Sequence, residues 1–147
     1  MLALDGGAPD ERAVRAMADA IVHRGPDSEG VLVDGPVALA ARRLAIIDLA
    51  RGDQPMANED GNVHVVFNGE LFDHVEKRAE LISRGHKIRT HCDTEIIPHM
   101  WEDHQEGMFE KLRGQFAIAL WDERQQRLVL GRDRFGIAPL YWTRQGD

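Results

Sequence analysis

Short apolar runs alternate along this chain with stripes at helical spacing, and glycine or polar residues punctuate both. Leu2-Ala3-Leu4 reads as the tail of a strand that stops at Asp5-Gly6-Gly7. Pro9 and Asp10 open a helix in which Val14, Met17 and Ile21 form one apolar stripe, and Gly25-Pro26 ends it. Val31–Val33 and Val37–Ala41 predict a hairpin across Asp34-Gly35. Leu44–Leu49 is another apolar run, and Arg51–Gly61 is a polar loop.

The strongest pattern is Val63–Glu70, whose β-branched and aromatic residues suit a strand buried on both faces. Asn68-Gly69 predicts an abrupt turn at its end, because both residues tolerate positive φ. Asp73 and Glu76 then read as a capping box for a helix that runs to Gly85. Ile88–Thr90 predicts a short strand, and Asp93 is a sound N-cap for a helix carrying Ile96, Ile97, Met100 and Trp101. Pro98 predicts a local distortion early in that helix. Met108–Arg113 follows as a short helix, and Phe116–Trp121 and Arg127–Leu130 as a hairpin. A charged turn over Gly131–Gly136 leads into Ile137–Trp142 with no closing element, and no internal domain boundary is visible.

At 147 residues the chain is one domain able to bury a real core. A formal net charge of −7 argues against a nucleic-acid partner, which clustered Lys and Arg would serve. No apolar segment reaches the roughly 18 residues of a membrane span, and no signal peptide opens the chain. A single cysteine, Cys92, excludes an internal disulfide framework. These features together suit a cytoplasmic protein.

Three chemistries are weakened by spacing. His91, Cys92, His99 and His104 lie closest among the histidines and cysteine, but the i, i+5 step from His99 to His104 places them on different helix faces. No metal site is expected. Cys92 directly precedes Asp93, whose charge raises a thiol pKa, so a buried thiol suits it better than a nucleophile. Gly131 and Gly136 lack the Lys-Ser/Thr pair of a phosphate loop. Arg43, Asn68, Gly69, Glu70 and Asp93 remain, each beside or between predicted elements. Arg43 suits solvent as well as a bidentate carboxylate clamp. Asn68-Gly69 suits a plain turn as well as a pair of oxyanion donors. An Arg for a carboxylate, two acids for an ammonium and the Asn-Gly donors would together recognise an α-amino acid attacked at its side-chain amide.

The ordered segments HRGPDSEG, ARRLAIIDL, GDQPM, VVFNGEL, THCDTE, LRGQFAIALWD and GRDRFGIAPLYW resemble the N-terminal glutaminase domain of glutamine-dependent asparagine synthetase. The likeness covers nearly the whole chain from His23 to Trp142. HRGPD followed by RLAIID and NGE is specific to that family, whereas glucosamine-phosphate synthase and amidophosphoribosyltransferase glutaminases carry other residues in the Arg-Gly loop. The resemblance implies a glutamine amidotransferase type 2 domain over residues 1–147, incomplete at both ends. It implies an α+β, N-terminal-nucleophile hydrolase fold: a four-layer αββα sandwich with two antiparallel sheets.

By position, the resemblance gives Arg43 the α-carboxylate of L-glutamine, Glu70 and Asp93 its α-ammonium, and the Asn68 side chain and Gly69 N–H the oxyanion hole. No cofactor is implied in this domain. ATP and Mg would belong to a C-terminal synthetase domain, the implied partner, which lies outside these residues. A homodimer is compatible with the family, and neither nucleic acid nor membrane is an implied partner.

The departures concern the nucleophile above all. The family uses an N-terminal cysteine within a Cys-Gly-Ile opening, its own α-amino group acting as base. This chain begins Met1-Leu2-Ala3, which the resemblance places just past that segment. Cys92 stands where the family has a small residue, Phe72-Asp73 replace Tyr-Asn, and Ala138 replaces a common lysine. The chain as written is therefore expected not to hydrolyse glutamine. The alternative is a non-hydrolytic binding or scaffold domain, as in β-lactam synthetase-like relatives, and a third reading is a small assembly domain.

Overall fold

The computed structural model describes residues 1–44 and 52–145. Helix α1 (Glu11–Asp19) starts at Asp10, whose side chain accepts the Arg12 N–H at 2.9 Å. Strands β1 (Ser28–Asp34) and β2 (Val37–Arg43) form an antiparallel hairpin closed by Gly35-Pro36. Residues 1–3 extend this small sheet, with Leu2 opposite Val37 and the Ala38 N–H donating to the Met1 carbonyl. A second sheet holds β3 (Met56–Ala57), β4 (Val63–Leu71), β5 (Gly114–Asp122) and β6 (Arg127–Arg132) in that order, all antiparallel. Between β4 and β5 come α2 (His74–Ser83), α3 (Ile96–His104) and α4 (Met108–Lys111).

Side-chain alternation on the strands sorts these elements into four layers. Val63, Val65 and Phe67 of β4 and Phe116, Ile118 and Leu120 of β5 face the helices, where they meet Leu81, Ile96, Ile97, Met100 and Trp101. Fully burying each Ile, Leu or Phe there contributes about 1.5–3 kcal/mol. The opposite face presents Val66, Ala119 and Trp121 to Val37, Leu39 and Leu32 of the hairpin. The Trp121 indole N–H crosses that interface to Asp34 at 2.6 Å. Helix α1 covers the outer face of the hairpin, where Arg42 reaches the Ala18 carbonyl at 3.2 Å, Asp19 at 2.5 Å and Glu29 at 2.7 Å. The result is an α+β sandwich of two antiparallel sheets flanked by helices, as the resemblance implies.

Several local expectations change. The predicted stripe on α1 turns outward: Val14 and Ala18 are buried, but Met17 and Ile21 are exposed. That helix ends at Asp19, and a separate 3-10 turn, Val22–Arg24, precedes Gly25. Asn68-Gly69 is not a turn. The strand runs through it to Leu71, pairing Asn68 with Ala117 and Gly69 with Phe116. Gly69 is required there by close approach, since a Cβ would lie 2.0 Å from the Gln115 carbonyl oxygen. Asp73 stands at the N-cap of α2 without a side-chain cap bond, so the capping box does not form. The helix does end in a Schellman motif, with Gly85 donating to Ile82 and His86 to Leu81.

Residues 88–90 form no strand, because their backbone donors go to a side chain instead. The buried Glu95 carboxylate accepts the Arg89 N–H at 2.8 Å and the Thr90 N–H at 2.6 Å. Pro98 sits in the first turn of α3, where missing N–H groups cost least, and a 3-10 turn (Asp93–Glu95) leads into it. Of the run Leu44–Leu49, all but the exposed Leu44 lies outside the described residues.

After β6 the chain is pinned by Asp133, which is buried. Its carboxylate accepts N–H groups from Phe116 at 3.1 Å and from Phe135, Ile137 and Ala138 at 3.0 Å. Burial alone would raise this carboxyl, but the four donors hold it down, from 3.8 to about 2. A carboxyl depressed in the folded state stabilises above its unfolded pKa and loses that contribution as pH falls towards the folded value. Asp133→Asn should therefore melt below the parent at neutral pH. The gap should narrow as pH drops from 3.8 to about 2. Thermal melts across a pH series check this, and a gap that stays constant into acid would contradict it.

Candidate active site

Where β3 ends, the edge of β4 is left open, and the strand's alternation aims every second N–H off it. The Phe67 N–H is taken by the Gln54 side-chain carbonyl at 2.7 Å, and the Leu71 N–H by an Asp93 oxygen at 3.0 Å. The Gly69 N–H lies between these two and shares their direction. It faces an open cleft of about 300 Å³ at the ends of the two sheets.

All five residues singled out from the sequence line this cleft: Arg43, Asn68, Gly69, Glu70 and Asp93. Arg43 closes β2, with its guanidinium 3.5 Å from Asp53 and largely buried. Gly52 lies directly beneath it, where a Cβ would fall 2.1 Å from the guanidinium. Asn68 and Glu70 are exposed on β4, alternating with the glycine between them. Asp93 is buried in the 3-10 turn before α3. It is not the expected N-cap, because it lies inside that turn, with Cys92 at the turn's N-cap and Glu95 at that of α3; one of its oxygens instead accepts the Leu71 N–H. That bond fixes the turn against the strand and sets the distance from Asp93 to Glu70.

Two further lining residues stand in segments of the resemblance, GDQPM and THCDTE, that gave them no role. Gln54 bridges the Phe67 N–H and the Thr94 hydroxyl, the latter at 3.3 Å, so it ties the loop before β3 to both walls. Thr94 also lies 3.5 Å from the Cys92 sulfur. Its place in GDQPM is the one signal for Gln54, since a glutamine in a polar loop carries no periodicity.

Cys92 lines the same cleft, buried, with its sulfur 3.7 Å from Asp93. Burial pushes its thiol pKa up, and the neighbouring Asp93 charge adds to this, while a Thr94 hydrogen bond opposes it. The thiol is thus protonated at neutral pH, a poor state for attack. The cleft offers three arginines (Arg24, Arg42 and Arg43), two carboxylates and strand-edge donors around a space fit for a small zwitterion.

Away from the cleft, Glu59, His86, His99 and Glu102 bring ligand atoms within 4.8 Å of one another and could hold a metal ion. Of the residues considered for metal from the sequence, only His99 belongs to this group; His91, Cys92 and His104 do not. Among the described residues, no helix is long and apolar enough to cross a membrane.

The family model described as a glutamine amidotransferase domain matches residues 2–147. Among curated proteins, asparagine synthetase [glutamine-hydrolyzing] 2 of Bacillus subtilis (strain 168) is 44% identical over 130 residues, 88% of this chain and 17% of that protein. A second Bacillus subtilis enzyme, asparagine synthetase [glutamine-hydrolyzing] 1, is 41% identical over 95% of this chain and 22% of its own length. Asparagine synthetase [glutamine-hydrolyzing] 2 of Lotus japonicus is 41% identical over 96% of the chain and 24% of its own. The chain therefore spans about a fifth of the length of these relatives. Among solved structures, the glutamine phosphoribosylpyrophosphate amidotransferase of B. subtilis, complexed with ADP and GMP, matches with a TM-score of 0.50. It is 22% identical over 62% of this chain and 22% of its own, a likeness of fold. The chain belongs to the glutamine amidotransferase domain family, class II, and is homologous to the glutaminase domains of asparagine synthetases.

Proposed function

We propose that this domain binds L-glutamine in the cleft and supports hydrolysis of its side-chain amide, supplying ammonia to a synthetase domain that amidates an acceptor with ATP. The observation that carries this reading is the convergence of residues from β2, β4 and the turn before α3 on one cleft. Arg43 takes the α-carboxylate in a bidentate pair. Glu70 and the free face of Asp93 take the α-ammonium. That arrangement points the amide along β4, where the Asn68 side chain and the Gly69 N–H receive the oxyanion that forms on attack.

Neither sulfur side chain considered for attack suits it. Met1 offers a thioether, and Cys92 is internal, with a raised pKa and no α-amino group as base. Residues 1–3 run antiparallel to β2, with Leu2 opposite Val37, so chain upstream of Met1 would follow β2 towards Arg43. At one residue per pair, such a segment reaches the cleft about five residues before Met1. A cysteine leading it would attack the amide carbon, ammonia would leave, and water would resolve the thioester to glutamate.

Glutamate release measured for the 147-residue chain, and for one extended upstream by a short Cys-Gly-Ile-led segment, tests this. Activity is expected only in the extended chain. Turnover by the shorter chain that Cys92→Ser abolishes would overturn the assignment of the nucleophile. An extended chain that folds and binds no glutamine would favour a scaffold role.

A further inference from the structure

On the helix-covered side of the larger sheet, four ligand-type side chains from three segments converge on one another. His99 and Glu102 lie on α3, three residues apart and so on one face. His86 stands just after the Schellman turn that ends α2, and Glu59 in the loop between β3 and β4. The two imidazoles turn the same atom inward, with Nδ1 of His86 and Nδ1 of His99 3.2 Å apart. Nδ1 of His99 is 2.9 Å from Oε2 of Glu59 and 3.5 Å from Oε2 of Glu102. Nδ1 of His86 is 3.6 Å from Oε2 of Glu102 and 3.8 Å from Oε1 of Glu59.

We infer that Glu59, His86, His99 and Glu102 form a four-ligand site for one divalent cation of the zinc class. Four nitrogen and oxygen donors at about 2.0–2.1 Å from a tetrahedral ion lie about 3.4 Å from one another. The separations among Nδ1 of His86, Nδ1 of His99, Oε2 of Glu59 and Oε2 of Glu102 given above run from 2.9 to 3.6 Å, about that edge length, and the four ligand atoms all lie within 4.8 Å of one another.

A second, independent observation is the state of the inward-facing atoms. His99 is fully buried, and its Nε2, Oε2 of Glu59 and Oε2 of Glu102 are buried atoms without a hydrogen-bond partner. A proton on Nδ1 of His99 can serve either Nδ1 of His86 at 3.2 Å or Oε2 of Glu59 at 2.9 Å but not both, and Oε2 of Glu102 is left unmet either way. A dication accepts a lone pair from all four, and two carboxylates with two neutral imidazoles balance its charge. The donor set has no sulfur and mixes imidazole with carboxylate, which suits borderline first-row dications over Mg²⁺.

The supporting shell is also built. Nε2 of His86 lies 3.1 Å from Oδ1 of Asp103, a carboxylate–histidine–metal arrangement that directs the Nδ1 lone pair inward. Asn58 donates to the outer oxygen of Glu102 at 2.9 Å, and the Lys87 N–H donates to Oε1 of Glu59 at 3.3 Å. Glu59 and Glu102 each keep about a fifth of their side-chain surface exposed, which gives an ion a way in. Bound metal would join the β3–β4 loop and the end of α2 to α3, the helix whose leading turn carries Asp93.

The test uses the 147-residue chain, stripped with chelator and titrated with Zn²⁺, with Mg²⁺ as the control ion. Expected are one Zn²⁺ per chain, a raised melting midpoint with Zn²⁺ alone, and X-ray absorption showing four N/O neighbours and no sulfur. Glu102→Gln and Glu59→Gln keep side-chain shape and should each weaken Zn²⁺ binding at least 100-fold. His86→Ala, which alters a partly exposed residue, should do the same without unfolding the chain. Cys92→Ser should leave binding unchanged. Binding that survives Glu102→Gln and Glu59→Gln, a sulfur neighbour, or no stoichiometric Zn²⁺ with a folded chain would each overturn the proposal.

Discussion

Replacing Arg43 with alanine should lower affinity for L-glutamine by about 30-fold to several-thousand-fold, equivalent to about 2–5 kcal/mol. The guanidinium is largely buried at the end of β2, with Gly52 beneath it and Asp53 at 3.5 Å. It is thus held before ligand arrives, and little side-chain entropy is lost on binding. Without it, the ligand carboxylate would enter a cleft walled by Glu70 and Asp93, with Arg42 already engaged by Asp19 and Glu29 and only Arg24 left among the lining arginines. Arg43→Lys should recover only part of the loss, since an ammonium cannot make the parallel pair. Calorimetry on an upstream-extended chain, with its leading cysteine replaced by alanine, isolates binding from turnover. Equal affinity for Arg43→Ala and its parent would remove Arg43 from the site. Arg42→Ala provides the contrast: that guanidinium is engaged with Asp19 and Glu29, so its loss should reduce stability more than glutamine affinity.

The largest effect on stability should come from Glu95→Ala, at about 3–5 kcal/mol. Glu95 is buried and accepts three donors: the Arg89 N–H at 2.8 Å, the Thr90 N–H at 2.6 Å and the Thr90 hydroxyl at 2.6 Å. Each donor left unmet in a buried setting costs about 1–3 kcal/mol, and water can enter to relieve some of it. The consequence reaches the cleft, because the same segment leads through Cys92 to Asp93. Thr90 Oγ1 in turn accepts the Cys92 N–H at 3.1 Å, so losing Glu95 loosens that chain of contacts. Urea unfolding of Glu95→Ala beside the parent measures the cost through the midpoint. An unchanged midpoint would mean that the segment is held by something other than this carboxylate.

What could be read from the chain alone was what period and local chemistry determine. The β5–β6 hairpin, α2 with its Gly85 stop, and the apolar face of α3 are local patterns, and each formed with ends shifted by a few residues. The resemblance carried the layer arrangement, and the same ordered motifs named the five residues that line the cleft. Tertiary structure decided what local signals cannot weigh. Asn68-Gly69 has strong turn chemistry, yet pairing with Ala117 and Phe116 holds it extended, because a sheet partner outweighs a two-residue propensity. Met17 and Ile21 keep helical spacing, but the hairpin covers only the side of α1 that carries Val14 and Ala18. Asp93 and Glu95 look alike as acids before a helix. Folding gives one the Leu71 N–H across the cleft and the other the backbone of Arg89 and Thr90. The GDQPM segment gave Gln54 no role, and of the group of Glu59, His86, His99 and Glu102 only the i, i+3 pair on α3 is local. The Phe67 partner of Gln54 and the His86 partner of His99 each lie 13 positions away, and folding brings them together.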